Sequence, residues 1–196
     1  MKVLLNRDYL AGALEACPKN DIRYYLNGVC VDFVNQSEIV IVATDGNIMF
    51  AANSRPEFED RGDFIGQIII PRDVIAQAVK TKEAFTTLSI NDSVYILGNI
   101  LFTPIEGKFP DYVRVIPQSV NGEPGNYDID LLKRAFDSVS KANLTKKTVN
   151  TLFQNGTLLP GVVQGENAAV MCVIMPRREN KHNFMAWVHP DADGVK

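Results

Sequence analysis

The sequence predicts an α+β fold in which short helices lie on antiparallel sheets. Three observations carry that prediction. Apolar residues recur at helical spacing in three separate segments. Each segment follows a short extended stretch and precedes strand-like runs broken at Asn, Asp, Ser and Gly. The segments also align with one another: Leu10, Ala13 and Leu14 match Ile75, Ala78 and Val79 at an offset of 65, and those match Leu132, Ala135 and Phe136 at a further 57. Such a recurrence marks one supersecondary unit used three times.

In the first unit, Asn6 is placed to cap a helix that carries Leu10, Ala13, Leu14 and Cys17 on one stripe. Strands are expected over Gly28–Val34, Glu38–Ala43 and Ile48–Asn53, with Asn35-Gln36-Ser37 as a turn. In the second unit, Pro71 stands at the first helical position before Arg72-Asp73 and the stripe Ile75, Ala78, Val79. Thr86–Ile90 and Val94–Leu97 follow, joined by Asn91-Asp92-Ser93, and then Ile100–Pro104. The third helix starts at Asp128 or Asp130 and carries Leu132, Ala135, Phe136 and Val139. Its strands are expected at Val149–Phe153, Thr157–Val163 and Ala168–Met175, with a turn at Asn155-Gly156. Every stripe is narrow, so each helix is expected to lay one face on a sheet and turn the other to water. The Gly-, Pro- and Asn-rich stretch Gln118–Asn126 reads as a boundary. It separates residues 1–120, with two units, from 121–180, with one. Residues 181–196 read as a C-terminal extension with an extra strand at Asn183–His189 and a loose end.

Of 196 residues, 46% are hydrophobic and 22% charged, a mix that excludes a mostly disordered chain. The net charge of −3 disfavours a protein that coats DNA by bulk attraction. The charge is uneven, however. Residues 1–120 carry 11 basic and 15 acidic groups, and 121–196 carry 9 and 8. Lys133, Arg134, Lys141, Lys146 and Lys147 cluster on the third helix and its exit, against Asp137. This is either a solvated helix face or a surface that holds a phosphate backbone without reading sequence. Cys17, Cys30 and Cys172 form no CxxC pair and sit in apolar contexts, so they read as reduced core residues. No apolar run reaches the ~20 residues of a membrane span. Charge at Lys2, Arg7 and Asp8 comes too early for a signal peptide. A soluble cytoplasmic chain is expected, with no membrane contact.

No catalytic constellation stands out. The two histidines, His182 and His189, lack helical metal-site spacing, and no GxSxG, P-loop or GxGxxG occurs. Asp45-Gly46 and Asp111-Tyr112 are ordinary turn positions. Neither an enzyme, a metal nor a cofactor is expected.

Several stretches, in order, resemble one family: Arg23-Tyr24-Tyr25-Leu26-Asn27-Gly28, Ala43-Thr44-Asp45-Gly46, Ile69-Ile70-Pro71-Arg72 and the run from Gly107 to Pro117. They are similar to the middle domain of the bacterial DNA polymerase III beta sliding clamp. Ile129-Asp130-Leu131-Leu132-Lys133-Arg134-Ala135-Phe136 resembles the opening helix of that family's last domain, and Val173-Ile174-Met175-Pro176-Arg177-Arg178 resembles its Met-Pro-x-Arg ending. The resemblance implies a DNA-clamp fold of about one and a half clamp domains, with helices lining a channel and sheets outside. A family ring has twelve such units. Three units per chain imply a homo-oligomer, with a four-chain ring as one way to reach twelve.

The resemblance also implies a pocket that takes linear motifs of DNA polymerase, the clamp loader and other replication proteins. Leu26, Thr44, Gly46, Pro110 and Val115 match one subsite. Val173, Met175 and Pro176 match the other wall, with Arg114 and Arg178 at the rim. Taken alone, Leu26, Val115, Val173 and Met175 read most simply as core, and the resemblance is what moves them to a pocket. Asn47, Ile48 and Met49 replace the family's usual His-Arg-Leu, so Ile48 is expected to change the pocket's polarity. Arg177 stands where an apolar residue is commoner and adds charge to the rim. The helices that face double-stranded DNA would present Arg7, Arg72, Lys80, Lys133, Arg134 and Lys141. Phe184-Met185-Ala186-Trp187 reads as an edge strand, a subunit-interface strand or a segment folding over the pocket. The expected function is a ring-forming processivity factor. The alternative is a non-ring module that competes for clamp-binding motifs or modulates host replication.

Overall fold

The computed structural model describes residues 1–55, 58–60, 64–143 and 149–178, residues 58–60 through their backbone alone. In chain order the elements are β1 Lys2–Asn6, α1 Arg7–Ala16, β2 Gly28–Phe33, β3 Ile39–Thr44, β4 Ile48–Ser54, β5 Phe58–Asp60 and β6 Gly66–Pro71. Then come α2 Arg72–Ala78, β7 Phe85–Asn91, β8 Val94–Leu97, β9 Ile100–Phe102, α3 Ile129–Ala142, β10 Thr151–Phe153, β11 Gly161–Gln164 and β12 Val170–Ile174. All strand pairs are antiparallel, in a five-stranded sheet β5-β1-β7-β8-β9 and a seven-stranded sheet β10-β11-β12-β4-β3-β2-β6. The α+β class is as the sequence predicts.

Helix starts follow local chemistry. The Asn6 side chain accepts from the backbone N–H of Asp8 and Tyr9, and Asp128, not Asp130, does the same for α3 at Asp130 and Leu131. Pro71 sits one position earlier than expected, at the cap, with Arg72 the first helical residue.

The seven-stranded sheet is buried on both faces, and its side chains alternate between two cores. Val29, Val31, Ile41, Phe50, Ile70 and Cys172 join the main core beneath the helices. Cys30, Val42, Met49, Ile69 and Val173 join a smaller core on the outer face, closed by Phe109 and Tyr112 from the segment after β9. The key joint is β12 beside β4, where Val173 lies opposite Met49 and Ile174 opposite Ile48. It brings chain near position 173 against chain near position 49.

Two further expectations differ from the structure. Helix α1 does not turn a face to water: none of its residues is exposed, because α3 covers the side away from the sheet. Gly12, Ala13 and Ala16 are small enough to allow that approach. The strands of the third unit are also shorter than expected. Thr157–Pro160 leaves the ladder because Asn155 ties this loop elsewhere: its Nδ2 donates to the Ser119 and Pro160 carbonyls, and its Oδ1 accepts from Asn121. The expected strand Asn183–His189 lies outside the described residues.

Candidate functional site

A concave site of about 280 Å³ opens on the outer face of the seven-stranded sheet, next to the β4–β12 joint. Its residues come from four places in the chain. Leu26 closes a short 3-10 turn, Tyr24–Leu26. Thr44, Gly46, Asn47, Ile48 and Met49 form the β3–β4 turn and its flanks; Pro110, Tyr112 and Val115 come from the segment after β9; Val173 and Met175 come from β12 and its end. The lining is mostly apolar, suited to a few side-chain anchors from a short peptide.

The β3–β4 turn is tightly specified. Gly46 has φ +91°, a conformation that favours glycine. Asp45 Oδ1 accepts from the N–H of Asn47 at 2.8 Å and of Ile48 at 3.0 Å. The Thr44 hydroxyl accepts from Gly46 and donates to the Ile48 carbonyl. Met175 N donates to the Asn47 carbonyl at 2.9 Å, which ties the end of β12 to the turn.

Most expected pocket residues meet here: Leu26, Thr44, Gly46, Asn47, Ile48, Met49, Pro110, Val115, Val173 and Met175. Ile48 borders the pocket but is 1% exposed and packs in the main core, so it alters the pocket's polarity little. Arg114 lies in a neighbouring cleft of about 380 Å³, which shares Val115 and Met175 with the first. Met175, 39% exposed, is the partition between the two. Pro176, Arg177 and Arg178 line neither cleft. Arg177 instead pairs with Asp128 at the start of α3.

The beta sliding clamp of Caulobacter vibrioides is 35% identical over 141 residues, which cover 67% of this chain. The chain belongs to the beta sliding clamp family. It spans 37% of that relative's length. Two solved clamps share its fold. The DNA polymerase III beta subunit of Thermotoga maritima has a TM-score of 0.68 at 14% identity, covering 92% of this chain and 66% of its own. The Helicobacter pylori beta clamp, bound to a DNA ligase peptide, has a TM-score of 0.68 at 13% identity, covering 89% and 64%. No protein-family model matches the chain.

In this clamp-family chain the pocket has three lining residues beyond the expected set: Arg23, Asp111 and Tyr112. Arg23 and Tyr112 each have a partner well away in sequence, Asp45 and Asp32. Arg23 reaches the pocket by hydrogen-bonding the Asp21 carboxylate and, through Nη2, the Asp45 carbonyl at 2.9 Å. The Arg23 side chain, and then its backbone N–H, hold the Asp21 carboxyl down at about 2. The Tyr112 hydroxyl donates to Asp32 Oδ2 at 3.0 Å, and Gln67 donates to the same oxygen. Burial, and then the Asp32 carboxylate, push the Tyr112 phenol up. The signal for these residues was present in the motif stretches that hold them, but the side-chain partners were not.

The expected DNA-facing cations divide into two groups. Arg7 donates to the Val79 and Thr81 carbonyls and to Asp8. Arg72 Nε donates to the Cys17 carbonyl at 3.3 Å. Arg134 pairs with Asp45, and Lys141 with Glu15. Lys80 and Lys133 are exposed and have no ion pair among the described residues. Lys146 and Lys147 lie outside the described residues.

Cys17, Cys30 and Cys172 are free and buried, and burial raises all three thiols, Cys17 to about 12. Among the described residues, no group of three or more His, Cys, Asp and Glu is arranged to hold a metal ion, and no helix is long and apolar enough to cross a membrane.

Proposed function

We propose that this chain is a non-enzymatic sliding-clamp component of the cytoplasm. It closes into a ring around duplex DNA by self-association and presents its pocket to linear motifs of DNA polymerase and the clamp loader. The observation that carries the reading is the 280 Å³ apolar pocket, with walls from both sides of the β4–β12 joint. The peptide-bound Helicobacter pylori clamp, which shares the fold, supports a peptide as occupant. Residues 1–120 and 121–180 act as the two clamp-like parts, and each supplies one side of the pocket. Leu26, Thr44, Met49, Pro110 and Val115 receive one anchor, with Val173 and Met175 as the opposing wall and Arg114 and Arg23 at the rim.

Self-association is supported by two strand edges. Among the described residues, β9 ends the five-stranded sheet with Leu101 70% exposed, and β10 ends the seven-stranded sheet with Phe153 41% exposed. Unpaired apolar edges favour strand addition, and edges on different sheets suit head-to-tail contacts that close a ring. Lys80 and Lys133 hold the DNA backbone, and the internally paired cations keep the helices in place.

Light scattering at micromolar concentration, with and without duplex DNA, tests the ring. A closed homo-oligomer is expected, and a monomer under both conditions refutes it. The engagement of Arg7, Arg72 and Arg134 with groups of this chain, together with the surface pairing of Lys141 with Glu15, favours a second reading, a non-ring module that competes for clamp-binding motifs. That reading predicts peptide binding by a monomer.

A further inference from the structure

Arg134 is on α3, on the far side of the seven-stranded sheet from the pocket, yet its guanidinium reaches the pocket's turn. Nη1 donates to Asp45 Oδ2 at 2.7 Å, across 89 residues of sequence. Nε and Nη2 donate to the Glu15 carbonyl, at 3.0 and 2.7 Å, at the end of α1. The guanidinium therefore has one contact on the turn and two on a fixed helix end. The ion pair is sheltered, with the Asp45 side chain 12% and the Arg134 side chain 33% exposed. Such a planar fork holds its partner's position as well as its charge.

Asp45 is the hinge of the pocket's turn. One carboxylate oxygen organises Asn47 and Ile48 from inside, and the other is held by Arg134. Its carbonyl is held by Arg23 on the pocket side. Asn47 in turn accepts from Met175 at the partition between the clefts. A shift of Asp45 is thus passed on to Gly46, Asn47 and Met175, all of which line the pocket.

We propose that Arg134 is a positioning residue for the pocket: by holding Asp45 against the end of α1, it preorganises the Asp45–Asn47 turn and so sets the affinity for an apolar-anchored peptide. The proposal rests on the peptide-pocket reading above. A turn that is already fixed loses less freedom when the peptide docks, so fixing it strengthens binding without any contact between Arg134 and the peptide. The residue acts from the helix side of the sheet.

The test is fluorescence anisotropy with a fluorescein-labelled hexapeptide carrying two leucines and a phenylalanine. The proteins are the wild-type chain and the variants Arg134→Gln, Arg134→Lys, Asp45→Asn, Arg134→Gln with Asp45→Asn, and Glu15→Gln, with thermal melts on each. Arg134→Gln and Asp45→Asn are each expected to weaken binding about three- to tenfold, mainly through faster dissociation, and the double variant no further than the worse single one. Arg134→Lys keeps a charge for Asp45 and is expected to recover part of the loss. Glu15→Gln breaks the Lys141 ion pair but keeps the carbonyl that Arg134 uses, and is expected to bind like wild type. A purely structural role would lower the melting temperature without this pattern of coupling and rescue. Arg134→Gln binding as tightly as wild type overturns the proposal, as do losses that multiply in the double variant. If a Gln or Asn variant does not fold, Arg134→Lys decides: affinity equal to wild type overturns the proposal. A wild-type chain that binds no peptide removes the pocket reading, and the role of Arg134 with it.

Discussion

Replacing Gly12 with alanine sets two effects of opposite sign against each other. Gly12 lies mid-helix in α1, and alanine there gains about 1 kcal/mol in helix propensity. The site is the seam with α3. A Cβ at position 12 would stand 2.6 Å from the main-chain oxygen of Ser138 and 2.9 Å from two ring atoms of Phe50. Neither neighbour can yield easily: one is the backbone of α3, and the other is a fully buried ring in the main core. Overpacking of this kind costs about 1–3 kcal/mol, and a contact with main chain belongs at the upper end. The clash outweighs propensity, and the net loss is about 1–2 kcal/mol. For a chain of this size that lowers Tm by roughly 2–8 °C. Thermal and urea denaturation followed by circular dichroism measure it, and Ala11→Gly in the same helix calibrates the propensity effect. A Gly12→Ala chain with raised Tm would show that α1 and α3 separate freely, and would refute the seam as a rigid joint.

Met175→Asp places a charge at the partition between the clefts and is expected to weaken peptide binding at least about tenfold while the chain stays folded, since Met175 is partly exposed; anisotropy and circular dichroism check both. Lys80→Glu with Lys133→Glu is expected to weaken duplex DNA binding and to flatten log K against log salt by about 0.9 for each phosphate no longer neutralised; Arg134→Gln is expected to change that slope less, because Arg134 is engaged with Asp45. The three thiols are expected to resist alkylation at pH 8 and to react once the chain is unfolded in urea, as mass spectrometry would show. Since burial raises the Cys17 thiol from 9.0 to about 12, its contribution to stability is complete below pH 9 and declines as pH rises toward 12; a urea midpoint that climbs over that range would contradict the burial.

The parts of the fold that were legible in the sequence are those set by near neighbours. Asn6 and Asp128 cap helices through N–H groups two and three residues away, so their chemistry is visible in a short window. The buried stripes of α1 and α3 follow helical spacing in the same way. The shorter strands of the third unit were not legible. Thr157–Leu159 has good strand composition, but the loop is bound by Asn155 to Ser119 and Asn121, more than 30 residues away. In the candidate site, the motif stretches named Leu26, Thr44, Val173 and Met175, while Met49 belonged to a departure from the family's pattern. Composition and periodicity alone would have left Leu26, Val173 and Met175 as core. Leu26 and Val173 do join a core, and Pro110, Tyr112 and Val115 from the segment after β9 line the pocket beside them.

By itself, the sequence determined the class of fold, the three helices, the Asn6 cap of the first and, through its ordered motifs, the family. These depend on residue type and spacing, which a chain carries whether folded or not. Only the tertiary structure decided that β12 docks beside β4, that α1 is covered on both sides, and which cations remain exposed. The reason is that an ion pair or a strand pairing is a choice among many partners of similar chemistry. Arg134 on a basic helix reads as one more solvated charge until packing brings Asp45, 89 residues away, to 2.7 Å.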